Sequence, residues 1–183
     1  MSKSGKLFVI SGPSGAGKGS LWKIAVKGLE MKYSVSCTTR QPRAGELNGR
    51  EYNFMSREDF QKNINAGEFL EYANVHGEFY GTLKSEVLNI LNSGHNVLLE
   101  IDVQGALNVK SQIPEAILIF IAPPSIEELR KRLTGRNTEK PEIIELRLKN
   151  ALHEMDLKNK YDFVIINDNI NIAAEKLRKI FID

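Results

Sequence analysis

The sequence predicts an α/β fold in which helices cover both faces of a parallel β-sheet. Short apolar segments with the composition of buried strands occupy residues 7–11, 96–101, 116–122 and 162–166. Segments with helical periodicity lie between and after them, notably residues 85–93, residues 102–112 and a closing stripe of Ala173, Leu177, Ile180 and Phe181. This alternation indicates a parallel sheet, because each crossover connection places a helix on one face of the sheet.

Composition and charge fit a compact domain with insertions and argue against several other classes of protein. The chain has 183 residues, of which 42% are hydrophobic and 26% charged, and its net charge is +2. We therefore expect no nucleic-acid partner and no membrane partner, and no apolar run approaches the roughly 18 residues that span a membrane. The single cysteine, Cys37, excludes an internal disulfide and favours a cytoplasmic location.

A glycine-rich segment follows the first predicted strand and precedes a helical pattern formed by Leu21, Ile24, Ala25 and Leu29. The segment consists of Gly12, Pro13, Ser14, Gly15, Ala16, Gly17, Lys18, Gly19 and Ser20. Glycines permit a tight turn whose backbone N–H groups surround phosphate oxygens, and the lysine reaches the outer phosphates. The pattern predicts a phosphate-binding loop and therefore the core of a P-loop NTPase.

The residue after the loop lysine departs from the common pattern. A serine or threonine that binds magnesium usually stands there, whereas this chain has Gly19 and places Ser20 one position later. We therefore do not expect a side chain of the loop to bind magnesium directly. Magnesium keeps several waters and binds substrate phosphates, so the loop can still take part in phosphoryl transfer.

Two regions have the character of insertions into this core. The first, residues 34–83, is polar and aromatic, with a helix at 57–66 that Ser56 caps and predicted strands at 34–39, 51–54, 68–75 and 78–81. In the second region, Ser125 is the predicted N-cap of one helix, and another helix begins near Pro141. The second region is therefore predicted to form a helical hairpin.

Arginines lie in both insertions, where a phosphoryl-transfer enzyme would need them. Arg132 and Arg136 share one helix face at i and i+4, and Arg147 lies on the second helix of the hairpin. Arg40 and Arg43 lie in the first insertion. Arginine binds phosphate bidentately and stays charged, and phosphoryl transfer depends mainly on positioning and on charge neutralisation.

Two carboxylates, Glu100 and Asp102, end the second predicted strand. Ligands of open α/β sheets lie beyond the carboxyl ends of the strands, so both side chains are candidates for ligand contact. They can hold magnesium-bound waters, for which Glu100 is the candidate, or accept hydrogen bonds from substrate N–H groups. The alternative is a structural role, in which Asp102 stabilises the N-terminus of the following helix.

The first insertion also carries residue types that suit a nucleoside monophosphate. The hydroxyls of Ser36, Tyr52 and Tyr80 could hold a phosphate together with the arginines. Glu71 is an acceptor-only side chain and could bind a base that presents donors. Guanine presents an N1–H group and an amine on one edge, so two acidic acceptors would select it over adenine.

Several segments, in the same order, resemble the bacterial form of guanylate kinase. They are residues 12–20, 34–46, 48–54 and 99–106, and the similarity extends from about Leu7 to Asp168. The resemblance implies transfer of the ATP γ-phosphoryl group to GMP, which gives ADP and GDP, with Mg²⁺ as cofactor and a place in purine nucleotide metabolism. The Lys18-Gly19-Ser20 ending is a variant that this family uses.

The resemblance also implies a role for each candidate residue. The GMP phosphate would contact Ser36, Arg40, Arg43, Tyr52 and Tyr80. Guanine would be recognised by Glu71, Thr82 and Asp102. The loop of residues 12–20 would hold the ATP phosphates, with Lys18 at the transferred group. The transition state would be surrounded by Arg132, Arg136 and Arg147.

The same resemblance implies three parts of the chain. The P-loop core would comprise residues 1–33, 84–124 and 156–183. An inserted α+β GMP-binding subdomain would comprise residues 34–83, and a helical lid residues 125–155. We expect both insertions to fold onto the core when both nucleotides bind, because closure excludes water and brings in the arginines.

Other functions stay open at this point. The chain could phosphorylate AMP or UMP, although Ser36, Tyr52 and the pair Glu71 and Asp102 argue against this. It could be a guanylate-kinase-like protein-interaction module without catalysis, although such modules typically have an eroded phosphate loop and this chain keeps Lys18. A GTPase is a third possibility. The oligomeric state, with a homodimer as one option, and the acceptance of dGMP are also open.

Overall fold

The structure is a computed structural model, and it describes residues 4–75, 77–135 and 141–183. The chain forms two compact units. The first unit comprises Met1–Leu7, Met31–Leu99 and Leu107–Ala116, and the second comprises Phe8–Glu30, Glu100–Ala106 and Ile117–Asp183. No helix of the described residues is long and apolar enough to cross a membrane.

Among the described residues, helices separate the strands at 7–11, 96–100, 117–122 and 163–166, as predicted. The strands are β1 (Leu7–Ser11), β2 (Met31–Tyr33), β3 (Cys37–Thr38), β4 (Asn53–Phe54), β5 (Phe69–Val75), β6 (Glu78–Leu83), β7 (Asn96–Glu100), β8 (Ile117–Ala122) and β9 (Phe163–Ile166). The helices are α1 (Lys18–Ala25), α2 (Arg57–Asn65), α3 (Lys84–Asn92), α4 (Val103–Gln112), α5 (Ile126–Thr134), α6 (Pro141–Asp156) and α7 (Ile170–Ile182), and a 3₁₀-helix spans Lys158–Lys160.

The second unit contains parallel strands covered by helices. β1 pairs with β8 in the register Val9↔Leu118, and β8 pairs with β9 in the register Ile119↔Phe163. Every residue of β1 is buried, which explains why it reads as a continuous apolar run rather than an alternating one. Helix α7 packs on this sheet through Phe181, whose ring meets Phe8 edge to face at 5.1 Å. The predicted α/β fold class is confirmed.

Two details of the second unit differ from the prediction. Residues 162–166 were expected to form a buried strand, but in β9 only Ile165 is buried and Phe163, Val164 and Ile166 are 43%, 45% and 57% exposed. The reason is the position of β9 at one end of the strand order, next to β8. Helix α1 ends at Ala25, so Leu29 is not part of its apolar face, and Gly28 follows with a φ of 74° that an α-helix does not contain.

The first unit contains a parallel pair and a mostly antiparallel sheet. β2, which was not predicted, pairs with β7 in the register Lys32↔Val97. The four-stranded sheet has the order β4-β3-β6-β5. Its core is aromatic, since the ring of Phe60 on α2 stacks on Phe69 at 4.3 Å and on Phe79 at 5.4 Å. This sheet and α2 correspond to the β-rich insertion predicted for residues 34–83.

The predicted helix caps and the hairpin contacts are present. Ser56 Oγ accepts a hydrogen bond from Asp59 N at 3.0 Å and begins α2, and Ser125 Oγ accepts one from Glu128 N at 3.1 Å and begins α5. Helices α5 and α6 pack through a shared apolar cluster of Leu129, Leu133, Ile144, Leu148 and Ala151. The predicted hairpin therefore forms in the described part of residues 125–155.

Candidate active site

The phosphate-binding loop has the backbone conformation that its glycines predict. Gly12, Gly15 and Gly17 have φ values of 135°, 90° and 85°, in the region that favours glycine. A Cβ atom at position 12 would lie 2.2 Å from the carbonyl oxygen of Ile121, so a side chain cannot be accommodated there. Gly17 is the N-cap of α1, whose first-turn N–H groups have no partner within the helix and favour an anion.

Lys18 is held over this loop by backbone carbonyls. Its Nζ donates hydrogen bonds to Gly12 O at 2.7 Å and to Pro13 O at 3.1 Å. The ammonium charge of Lys18 therefore lies at the loop, beside the two carbonyl oxygens that it contacts. A phosphate oxygen bound in the loop would meet a lysine that is already in place.

Two arginines of the helical hairpin reach toward the loop. Arg147 Nη1 donates a hydrogen bond to Ser14 Oγ at 2.6 Å. Arg132 Nη2 donates to the main-chain oxygen of Asn167 at 3.0 Å, and its Nε lies 3.2 Å from Glu128 Oε1. Arg136 lies outside the described residues. Two of the three arginines predicted at the transition state are thus connected to the phosphate loop or to its neighbour.

Asn167 joins the loop to the end of β9, a role that the sequence did not predict. Its Nδ2 donates to Ala16 O at 2.8 Å, and its backbone N donates to Ala122 O at 2.8 Å. The side chain is buried, and the same residue supplies the carbonyl that Arg132 contacts. Asn167 therefore fixes the loop backbone and one arginine together. A polar residue directly after an apolar strand was the available signal.

Glu100 lies beside the start of α1. Its Oε2 accepts a hydrogen bond from Trp22 Nε1 at 2.6 Å, and a Cβ atom on Gly19 would be 3.4 Å from the same oxygen. One carboxylate next to a phosphate loop fits Mg²⁺, which takes oxygen ligands and is usually bound through one or two carboxylates, waters and substrate phosphates. The described residues contain no group of three or more His, Cys, Asp or Glu side chains that could hold a metal.

Asp102 has the structural role that was considered as the alternative, since it caps α4. Its Oδ1 accepts a hydrogen bond from Gly105 N at 2.8 Å. It also lines an open cavity of about 230 Å³ together with Val103, Gln104, Asn150, His153, Glu154 and Leu157. Burial raises the pKa of Glu154 in this cavity, an effect that Lys18 partly offsets and Asp102 reinforces. Asp102 is therefore placed at a cavity as well as at a helix terminus.

In the first unit, the guanidinium of Arg40 is the centre of a polar cluster. Nη1 and Nη2 donate to Glu46 Oε2 and Oε1 at 2.9 and 3.0 Å, and the group lies 5.3 Å from the centre of the Tyr52 ring. A hydrogen bond between Tyr80 and Arg40 and an edge-to-face contact between the rings of Tyr52 and Tyr80 at 5.7 Å complete the cluster. Three of the five predicted phosphate residues are thus brought together.

Glu46 was not predicted, although it contacts both arginines of this loop. Besides its two bonds to Arg40, its Oε2 accepts a hydrogen bond from Arg43 N at 2.8 Å. These bonds hold the pKa of the Glu46 carboxyl below its usual range, with the Arg40 contact as the largest cause. The side chain of Arg43 is exposed. An acidic residue three and six positions after two arginines was the signal that could have identified it.

Glu71 and Thr82 form a buried pair across two antiparallel strands. They lie opposite each other in the register of β5 and β6, and Thr82 Oγ1 donates a hydrogen bond to Glu71 Oε1 at 2.7 Å. Both side chains are buried, so the carboxylate is held in one orientation.

Comparisons with known proteins agree with this geometry. The sequence model of a family described as guanylate kinase matches residues 4–183. The chain belongs to the guanylate kinase family. The guanylate kinase of Caldanaerobacter subterraneus subsp. tengcongensis is 51% identical over 181 residues, which cover 98% of this chain and 88% of that protein. The guanylate kinase of Fusobacterium nucleatum subsp. nucleatum is 53% identical over 173 residues, which cover 94% of each chain.

The fold is also similar to a solved guanylate kinase. The crystal structure of guanylate kinase from Anaplasma phagocytophilum matches with a TM-score of 0.77 at 35% identity, covering 97% of this chain and 85% of that one. Guanylate kinases are ATP:GMP phosphotransferases, so the family, the fold and the class of enzyme that the sequence predicts are confirmed. The roles of individual residues stay predictions.

Proposed function

We propose that the chain transfers the γ-phosphoryl group of ATP to GMP, which gives ADP and GDP, and that the two sets of phosphates are held by different residues. The second unit would hold the ATP phosphates and the first unit the GMP phosphate. The observation that carries the proposal is the phosphate loop, in which Gly12 excludes any side chain and Lys18 is held over the turn. A chain of this family that keeps such a loop retains what phosphoryl transfer needs.

For ATP, we propose that residues 12–20 hold the phosphates, with Lys18 at the transferred group. The first-turn N–H groups of α1 would bind phosphate oxygens, and the helix dipole would favour their charge. Arg132, Arg136 and Arg147 would neutralise the charge that develops on the transferred group. The contacts of Arg132 and Arg147 described above support this role, because both guanidinium groups are anchored next to the loop.

For GMP, we propose that Ser36, Arg40, Arg43, Tyr52 and Tyr80 bind the phosphate. The cluster of Arg40, Tyr52 and Tyr80 supports this, since a guanidinium stacked on a tyrosine ring is held for bidentate contact with an oxyanion. The Glu46 carboxylate accepts hydrogen bonds from Nη1 and Nη2 of Arg40 here, so a phosphate would share these donors with Glu46 or displace its carboxylate. Glu71, Thr82 and Asp102 would read guanine through acceptors that match its N–H groups.

We further propose that Mg²⁺ is the cofactor, with Glu100 as the residue that contacts its waters. When bound, the ion would neutralise part of the charge on the phosphates. The GMP phosphate oxygen would attack the γ-phosphorus in line, without a protein nucleophile, and ADP would leave. The remaining predictions belong with this proposal: the division into core, GMP-binding subdomain (34–83) and lid (125–155), and a cytoplasmic location.

The experiment is a coupled assay of ADP formation with ATP, magnesium and each of GMP, AMP, UMP and CMP. We expect fast turnover with GMP, little with the other acceptors, and its loss in Lys18→Ala. Turnover that is fastest with AMP or UMP would favour another nucleoside monophosphate kinase. No turnover with any acceptor, from protein that is folded, would favour a protein-interaction module.

A further inference from the structure

The segment that carries Ser36 is held by two side chains in addition to its backbone pairing. β3 begins at Cys37, so Val35 lies outside the ladder of β3 and β4. Val35 N instead donates to Glu86 Oε1 at 3.2 Å, and Val35 O accepts from Asn53 Nδ2 at 3.1 Å. The backbone N of Asn53 donates to Ser36 O at 2.9 Å. The main chain on both sides of the Ser36 side chain is therefore fixed by two residues.

We infer that Glu86 and Asn53 are positioning residues that hold Ser36 in place for the GMP phosphate. The inference deepens the proposed function and rests on its assignment of Ser36 to that phosphate. Neither residue needs to touch the nucleotide. Each side chain fixes the backbone next to Ser36, so a shift of that backbone would move the Ser36 hydroxyl.

The surroundings of Glu86 favour this role. It lies in the first turn of α3, where the helix dipole stabilises a carboxylate, and it is only partly exposed. Few other contacts hold the segment, since Ser34 N donates to Leu98 O at 3.2 Å but its buried hydroxyl has no hydrogen-bond partner among the described residues. Val35 is only partly exposed, and without Glu86 its N–H group would lose the acceptor that fixes this part of the main chain.

The charge of Glu86 separates positioning from direct binding. A carboxylate near a bound phosphate repels it, so Glu86 would be a poor direct ligand but a good acceptor for a backbone N–H group. Glu86→Gln keeps a side-chain oxygen that can accept the bond from Val35 and removes the charge. It should therefore preserve GMP binding, whereas Glu86→Ala should not.

The first test compares steady-state KM values for GMP and ATP in four variants. For Glu86→Ala we expect the GMP KM to rise about tenfold, as for loss of a bond to a charged acceptor, with the ATP KM unchanged. For Asn53→Ala, which removes the side-chain bond to Val35 O, we expect about threefold. Glu86→Gln should stay within about twofold. The control is Glu58→Ala, because the Glu58 side chain is 80% exposed on α2 in the same unit, and it should behave as wild type.

A double-mutant cycle tests whether Glu86 acts through Ser36. If it does, adding Glu86→Ala to Ser36→Ala should raise the GMP KM by less than about twofold further. Additive effects, or a Glu86→Ala variant with normal GMP KM, would overturn the inference. If Glu86→Ala does not fold, a normal GMP KM in Asn53→Ala overturns it instead. A normal GMP KM in Ser36→Ala would overturn the proposed assignment of Ser36, and the inference with it.

Discussion

Replacement of Thr82 by valine removes one buried hydrogen bond while keeping the shape of the side chain. Thr82 Oγ1 lies 2.7 Å from Glu71 Oε1, and both residues are buried, at 0% and 6% exposure. A hydrogen bond to a charged group contributes about 1.5–3 kcal/mol, and its loss leaves a carboxylate oxygen without this donor. We therefore expect Thr82→Val to lower the free energy of unfolding by about 1.5–3 kcal/mol.

The same change should weaken GMP binding, because Glu71 is then no longer held in one orientation. We expect the GMP KM to rise by about tenfold or more, while the ATP KM stays unchanged. The matched control is Thr82→Ser, which keeps the hydroxyl and loses one methyl group, worth about 1 kcal/mol of stability. Urea unfolding and steady-state kinetics measure both quantities. Equal GMP KM values for the valine and serine variants would refute the reasoning.

Three further predictions follow from the geometry. Gly12→Ala should abolish turnover in the coupled assay, because its Cβ would collide with the carbonyl of Ile121; measurable turnover near the wild-type rate would contradict the tight turn. Asn167→Ala should raise the ATP KM about fivefold with the GMP KM unchanged, because Ala16 O loses its buried donor. Steady-state kinetics measure both values, and an equal rise in the two KM values would contradict this prediction. Burial raises the pKa of the Cys37 thiol from 9.0 to about 11. The thiol therefore stays neutral in the folded protein at pH values where it ionises in the unfolded chain, so its contribution to the free energy of unfolding is complete below pH 9 and is lost as the pH rises through 11. At pH 8 the folded protein should therefore react with a thiol reagent at least about a hundredfold more slowly than protein unfolded in urea, and equal rates would show that the thiol is accessible.

The sequence predicts local features of the fold well, where one residue type decides the structure. The glycines at positions 12, 15 and 17 imply the turn that the loop makes, and the serines at 56 and 125 imply the helix starts that form there. The apolar cluster of α5 and α6 has helical spacing within each helix. These signals are readable because each depends on neighbours within a few positions.

The features that depend on distant residues could not be read in this way. The exposure of β9 follows from its place at the end of the strand order, and an apolar run of four residues looks the same at an edge as in the centre of a sheet. The contact of Asn167 with Ala16 joins residues that lie far apart in the chain. Arg40 was predicted as a phosphate ligand, but its pairing with Glu46 needs the loop conformation that brings the two side chains together.

The most direct test of the central claim is equilibrium binding of each nucleotide to two variants, one for each compact unit. Calorimetry with GMP alone and with a non-hydrolysable ATP analogue alone should show that Lys18→Ala weakens the ATP analogue and leaves GMP unchanged. Arg40→Ala should do the reverse, weakening GMP at least about tenfold, as expected for loss of a charge-assisted contact with phosphate. If Arg40→Ala weakens the ATP analogue as much as GMP, or leaves GMP unchanged, the assignment of the ATP phosphates to the second unit and of the GMP phosphate to the first is contradicted.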